Sequence, residues 1–557
     1  ITSSLTIQGP GQAALTISGN GTSRVFRVVK NQEPSGDISV TIAGLTIQNG
    51  RDGGTQTAGG QGGGIYADRV RLTLQGVTLK DNTAAGSSAN ACCTSAGGQG
   101  GGIYAQDSNL ALSGVAVGPN NLADGGILTD DCCAYAGGLG GGIHVQGGQL
   151  RLQGSTVNGN SANGGIWSAG FQNYGAAGQG GGIYAHGALV ALEGSTIGDN
   201  TATGGLVQFM FRDAGAQGGG LFADNSDVSA SETIISGNKA LGGYSYSHVN
   251  GGDGGGAYVR DGSLTVIGGR IADNLADGSN VVPENGAGDG GAGGGLYVAT
   301  GKLTLTGVAI AGNTAAAAHA PSISGAGVGG GLYMAFYECT DGEIGRRGNL
   351  LAVPYIPLGT PTITATTFAG NTAAGLEMSS DEYYTDGGKG GGAFVASSCY
   401  PVTLAIVSST FDGNTALASG GAAGVGGQGG GLQIDGGNAD LTVLVAGSTF
   451  INNSVTIGAS GTSPEGVGGG INVVAPSLLE VYNSTFNANT AGRSGAAIFA
   501  TAAAVARATN VTVVGNVAPA GGGQLAAEVV GTLAVTNSIV AAGGAAGNCA
   551  GPVVNGG

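Results

Sequence analysis

Residues 62–82 read GGGIYADRVRLTLQGVTLKDN, and their apolar spacing argues for strands over helix. Leu72 and Leu74 alternate with Arg71, Thr73 and Gln75, then Gly76 shifts the phase so that Val77 and Leu79 point the same way. Alternation of period two is the mark of a half-buried strand, and a Gly at the break suits a corner, because Gly takes positive φ without steric cost. The same break recurs at Leu150, Leu152, Gly154, Ser155 and Val157, and at Leu303, Leu305, Gly307, Val308 and Ile310. Three short strands per coil follow, around Ile65, Leu72 and Val77.

Working outward, a Gly-rich signal followed by an apolar residue recurs at Ile65, Ile103, Ile143, Ile183, Leu221, Ala257, Leu296, Leu332, Ala393, Leu432, Ile471 and Ile498. Each of the first seven is followed at a constant distance by Asn82, Asn120, Asn160, Asn200, Asn238, Asn274 or Asn313. Later coils carry Asn371, Asn414, Asn453 and Asn489, and the opening segment offers Asn49. Asparagines at one station of every coil predict an internal ladder, with side-chain amides bonding from coil to coil. The expected fold is all-β: a single right-handed parallel β-helix over 1–557, about 15 coils at ~4.8 Å each, with Gly-rich loops on one edge. Residues 337–361 and 374–390 read as loop insertions. Both ends read as cut from a longer product, with no leader before Ile1.

Composition narrows the class. Gly is 120 of 557 residues against 13 Pro, and no G-X-Y period exists, so collagen is excluded. Hydrophobic residues at 41% exclude disorder. Only 9% of residues are charged and the net charge is −16, a field of the wrong sign for nucleic acid or anionic lipid. No apolar run is long enough for a transmembrane helix.

Cys92 and Cys93 occupy the same station as Cys132 and Cys133, so these four are expected to pair among themselves, and Cys339 is expected to pair with Cys399 on the neighbouring coil. Paired loop cysteines point to an oxidising, extracellular compartment. Cys549 is left without a partner. The 337–361 insertion concentrates charge and an aromatic in Tyr337, Glu338, Asp341, Glu343, Arg346 and Arg347, an expected interaction loop for protein or glycan. Asp381, Glu382 and Asp386 supply the clustered oxygens that calcium takes, and no other cofactor is indicated.

The paired motifs Gly62-Gly63-Gly64-Ile65 or Gly391-Gly392-Ala393-Phe394, and Phe368-Ala369-Gly370-Asn371, Phe411-Asp412-Gly413-Asn414, Phe450-Ile451-Asn452-Asn453 or Phe486-Asn487-Ala488-Asn489, resemble the repeats of chlamydial polymorphic outer membrane proteins and related bacterial surface proteins. The resemblance spans nearly the whole chain. It implies a scaffold or adhesin at a bacterial surface, with other copies of itself, other surface proteins or glycans as partners. A filament subunit built by stacking is the alternative. A polysaccharide lyase or hydrolase is the catalytic rival. It is set aside because outward strand positions such as Thr73, Gln75, Thr304 and Thr306 form no carboxylate row, and His144, His186, His248 and His319 have no Glu or Cys beside them in sequence.

Overall fold

The computed structural model describes residues 1–556 apart from 31–37, 56–57, 90–95, 129–135, 168–175, 207–214, 246–247, 282–286, 320–322, 337–359, 376–385, 398–400, 421–423, 438–439 and 459–465. It is a right-handed parallel β-helix. Among the described residues the one helical element is a 3₁₀ turn at Gly544–Ala546. The chain groups into two compact units, residues 1–265 with 274–286 and residues 266–273 with 287–557.

In the first unit every coil contributes to parallel sheets in unbroken register. Face 1 runs from Phe26–Val29 through Ile65–Asp68 and Ile183–His186 to Ala257–Arg260. Face 2 runs from Leu5–Gln8 through Arg71–Gln75 to Asp227–Ser231, and face 3 from Thr16–Ser18 through Thr78–Lys80 to Ile234–Ser236. The second unit repeats the plan. Its face 1 runs from Leu296–Ala299 to Cys549–Ala550, and its face 3 carries the stacked core rings Phe368, Phe411, Phe450 and Phe486, 4.6 to 5.0 Å apart.

A fourth, two- or three-residue strand per coil was not anticipated. It runs from Arg51–Asp52 through Thr83–Ala84 to Leu275–Ala276 in the first unit, and from Thr314–Ala315 to Ser454–Val455 in the second. The cause is local: alternation simply continues past the Asn, leaving Thr83 half-exposed and Ala84 buried.

The phase shift at Gly76 is a corner with φ 53°, after which Val77 turns inward and is fully buried. Next to this corner runs a hydroxyl ladder that alternation alone does not disclose. The Val115 N–H donates to Ser155 Oγ at 3.1 Å and the Ser155 N–H to Ser195 Oγ at 3.2 Å. In the second unit Thr366, Ser409 and Ser448 donate through their N–H groups to Ser409, Ser448 and Ser484. These side chains complete backbone bonds that the corner would otherwise leave unmade.

The glycine content also has a specific origin. Gly98, just ahead of the Gln99 bridge, lies directly on the fourth strand, and a Cβ there would sit 1.9 Å from the Ala84 carbonyl oxygen. Most coils keep Gly at this station, and Ala216 takes it in one.

Candidate functional site

The interior ladder forms within each unit. In the first, Asn82, Asn160, Asn200, Asn238 and Asn274 are buried, and the side-chain amides of the first four donate to the ladder residue of the next coil, as when Asn160 Nδ2 donates to Asn200 Oδ1 at 2.9 Å. In the second, Asn313, Asn371, Asn414, Asn453 and Asn489 repeat the pattern, which then continues through Asn516 to Gln524, two members outside the sequence expectation.

Asn120 is corrected. The ladder residue of that coil is Asn121, whose Oδ1 accepts from Asn82 Nδ2 at 2.9 Å. Val117 is in register with Leu79, and Leu122 with Thr83, so this corner holds one residue more than its neighbours. Asn120 is the surplus corner residue, at φ 62°, exposed and donating to Asp81. Asn49 likewise sits at a positive-φ corner, and the Gly50 N–H meets Asn82 Oδ1 instead.

Several expectations lie outside the described residues: Cys92, Cys93, Cys132, Cys133, Cys339 and Cys399, the loop residues Tyr337, Glu338, Asp341, Glu343, Arg346 and Arg347, and Asp381 and Glu382. Cys549 is described and is a free, exposed thiol. Asp386 is exposed, with its carboxylate 3.9 Å from Lys389 Nζ.

A different constellation emerges on face 1 of the first unit. In each strand there the first and third residues point inward, as with Ile183 and Ala185, and the second and fourth outward. The second residues form a column of rings: Tyr66, Tyr104, His144, Tyr184, Phe222 and Tyr258, with successive centroids 4.7 to 5.4 Å apart where the rings stack. Burial pushes the Tyr104 and Tyr184 phenols up to about 12. His144 is fully enclosed between Tyr104 and Tyr184, and neither ring nitrogen has a hydrogen-bond partner. Burial lowers this imidazole to about 3, so it is neutral at ordinary pH.

The fourth residues form a polar column in register: Asp68, Gln106, Gln146, His186, Asp224 and Arg260. At its far end Asp224 Oδ2 lies 3.0 Å from His186 Nδ1, and Arg260 Nε donates to Asp224 Oδ1 at 2.8 Å. Burial works to raise the Asp224 carboxyl, but the bonds and charges of Arg260 and His186 outweigh it and hold it below the usual carboxylate range. The Arg260 guanidinium is raised against the pull of its burial, chiefly by its hydrogen bond to Asp224, and also lies over the Phe222 ring, 5.9 Å from the centroid. Chemically this is an imidazole oriented by a carboxylate through one nitrogen, leaving Nε2 to exchange a proton or a hydrogen bond with a ligand. The signal was present in sequence: His186, Asp224 and Arg260 each follow the first residue of their strand by three positions.

No known protein family pattern matches the chain, and no curated protein matches it. Among solved structures it is similar to the catalytic domain of a GH87 alpha-1,3-glucanase in complex with tetrasaccharides, at 11% identity and a TM-score of 0.20. The alignment covers 86% of this chain and 66% of that one. Likeness at this level bears on no activity. The expectation that the chain is not an enzyme is nevertheless corrected and carried no further. Its premise, that the histidines stand without a catalytic partner because no Glu or Cys lies beside them in sequence, fails at His186, whose Nδ1 lies 3.0 Å from Asp224 of the next coil.

Proposed function

We propose that this chain is an extracellular scaffold of the bacterial surface-protein kind, a β-helix that displays loops from one edge. One observation carries the reading. Connections of different length join Ala84 to Gln99, Ala123 to Leu139, Ala162 to Gln179 and Ala202 to Gln217. Both flanks of each connection nevertheless stay in register with the coils beside them. A frame that holds its register across variable inserts can change its loops without changing its core, which is how repeat scaffolds present binding surfaces. The resemblance of the repeat motifs to those of bacterial surface proteins and the low charge content, 9%, support the same reading. Its partners would be surface macromolecules met by the loops.

The test replaces residues 168–175, a cysteine-free stretch, in the full chain with a Gly-Ser linker of equal length, and measures thermal unfolding alongside binding to cell surfaces by flow cytometry. The expected result is an unchanged midpoint with altered binding. Collapse of the fold would overturn the reading, because it would make the insert part of the frame.

A further inference from the structure

We infer that the polar column Gln106, Gln146, His186, Asp224 and Arg260 on face 1 of the first unit is a binding strip for an extended, uncharged polysaccharide. This goes beyond the display reading and does not rest on it, since the strip lies on a strand face and not in a loop.

The second unit supplies the internal control. At the same station its strands carry Ala299, Ala335, Ala396, Asp435 and Val474, and they pair in the same parallel register. The fold therefore does not require a polar residue there. In the first unit every coil from Asp68 to Arg260 has one, and each is a planar group able to make paired hydrogen bonds: carboxylate, amide, imidazole or guanidinium. Conserved geometry with changed chemistry marks a surface shaped for something other than folding.

These groups are pre-set. The Tyr104 hydroxyl lies 3.4 Å from Gln106 Oε1 and 3.5 Å from Gln146 Oε1, so its single proton can hold one of these amide oxygens at a time. Asp224 fixes His186 through Nδ1 and leaves Nε2 facing out, while Arg260 spends only its Nε on the carboxylate. Ordering these side chains before the ligand arrives removes part of the entropic cost of binding.

Charge and spacing name the ligand. Each carboxylate of the column already has a guanidinium partner, Asp68 with Arg69 and Asp224 with Arg260, so the strip is close to neutral within a chain of net charge −16. Polyanions are repelled, and a cation finds no free carboxylate. One planar group per coil, ~4.8 Å apart, suits a linear polymer that offers hydroxyl pairs at each unit along the stacking direction. Tyr66 and Tyr184 offer only ring edges and hydroxyls beside the column, because Tyr184 is stacked between His144 and Phe222, and Tyr66 lies against Tyr104 and the Arg24 and Arg27 guanidiniums.

The experiment is affinity electrophoresis of the full chain through gels containing soluble β-glucan, α-glucan, mannan, arabinoxylan or galactan, with polygalacturonate as the anionic arm. The triple variant Gln106→Ala, Gln146→Ala, His186→Ala adopts the second unit's own solution and keeps the Asp224–Arg260 pair. Gln75→Ala with Gln153→Ala, on face 2, is the control. Retardation by at least one neutral polysaccharide, weakened at least tenfold in the triple variant and unchanged in the control, with equal unfolding midpoints, is the expected result. The inference is overturned if no neutral polysaccharide retards the wild type, or if the triple variant binds as well as the wild type. Equal loss in the control, or retardation by polygalacturonate alone with loss in salt, overturns it too.

Discussion

Asn82 and Asn121, 39 residues apart in sequence, share a buried amide contact in which Asn82 Nδ2 donates to Asn121 Oδ1 at 2.9 Å. The same oxygen also receives the Asn82 backbone N–H at 3.2 Å, and Asn121 Nδ2 passes the chain of bonds on to Asn160. Each ladder residue thus satisfies groups on two neighbouring coils while being solvated by none.

Asn121→Ala is expected to strip partners from buried groups on two coils, each costing about 1–3 kcal/mol. A total loss of about 3–5 kcal/mol in chemical denaturation should result. Asn120→Gly, one position earlier, removes an exposed contact from a positive-φ corner and should change stability by less than about 1 kcal/mol. Equal effects at the two positions would show that the ladder register assigned here is mistaken.

Which of these features sequence can disclose depends on whether the cause is periodic. Strand alternation at Leu72, Leu74, Val77 and Leu79, the Gly76 corner and most ladder asparagines repeat with the coil, so spacing finds them. Asn120 escapes because a single inserted corner residue cancels against a constant count. Gln524 escapes because it joins the ladder as a different residue type with an equivalent amide. His186, Asp224 and Arg260 share a station but no chemistry, and only backbone register brings them into contact.

Gly98→Ala should be among the most damaging single substitutions in the chain. The added Cβ meets the Ala84 carbonyl at 1.9 Å with backbone on both sides, so a coil must separate from its loop base. Gly76→Ala has open space around the new Cβ and bears only the strain of φ 53°, about 1–2 kcal/mol. Thermal unfolding of the pair should rank Gly98→Ala far below Gly76→Ala, and a reversed order would refute this account of the glycine content.

Asp224→Asn removes the acceptor of two charge-assisted bonds, one of them to the half-exposed His186, and should cost about 1–2 kcal/mol near neutral pH. Because the folded carboxyl titrates below its ordinary value, its contribution is present above the unfolded pKa and fades as pH falls through the folded one. The stability gap between wild type and Asp224→Asn should therefore narrow in strong acid. A gap that stayed constant down to pH 2 would mean that packing, not charge, stabilises the site.

His144 titrates in the opposite sense, because its neutral form is the one the fold accepts. Between about 6.5 and about 3 the unfolded chain takes up a proton that the buried imidazole refuses, so stability should fall by about 1.4 kcal/mol per pH unit across that window. Above about 6.5 both states are neutral and the contribution is flat. Tyr104 and Tyr184 stack on the ring without offering it an acceptor, and the Leu139 backbone only partly offsets the cost of burying the charged form. His144→Phe places in this coil the ring type that Phe222 already provides in the same column, which preserves the stack and removes the titrating group. Denaturation midpoints at pH 7.5 and 4.5 should lie clearly closer together in His144→Phe than in the wild type. An unchanged separation would show that acid weakens the first unit through other groups.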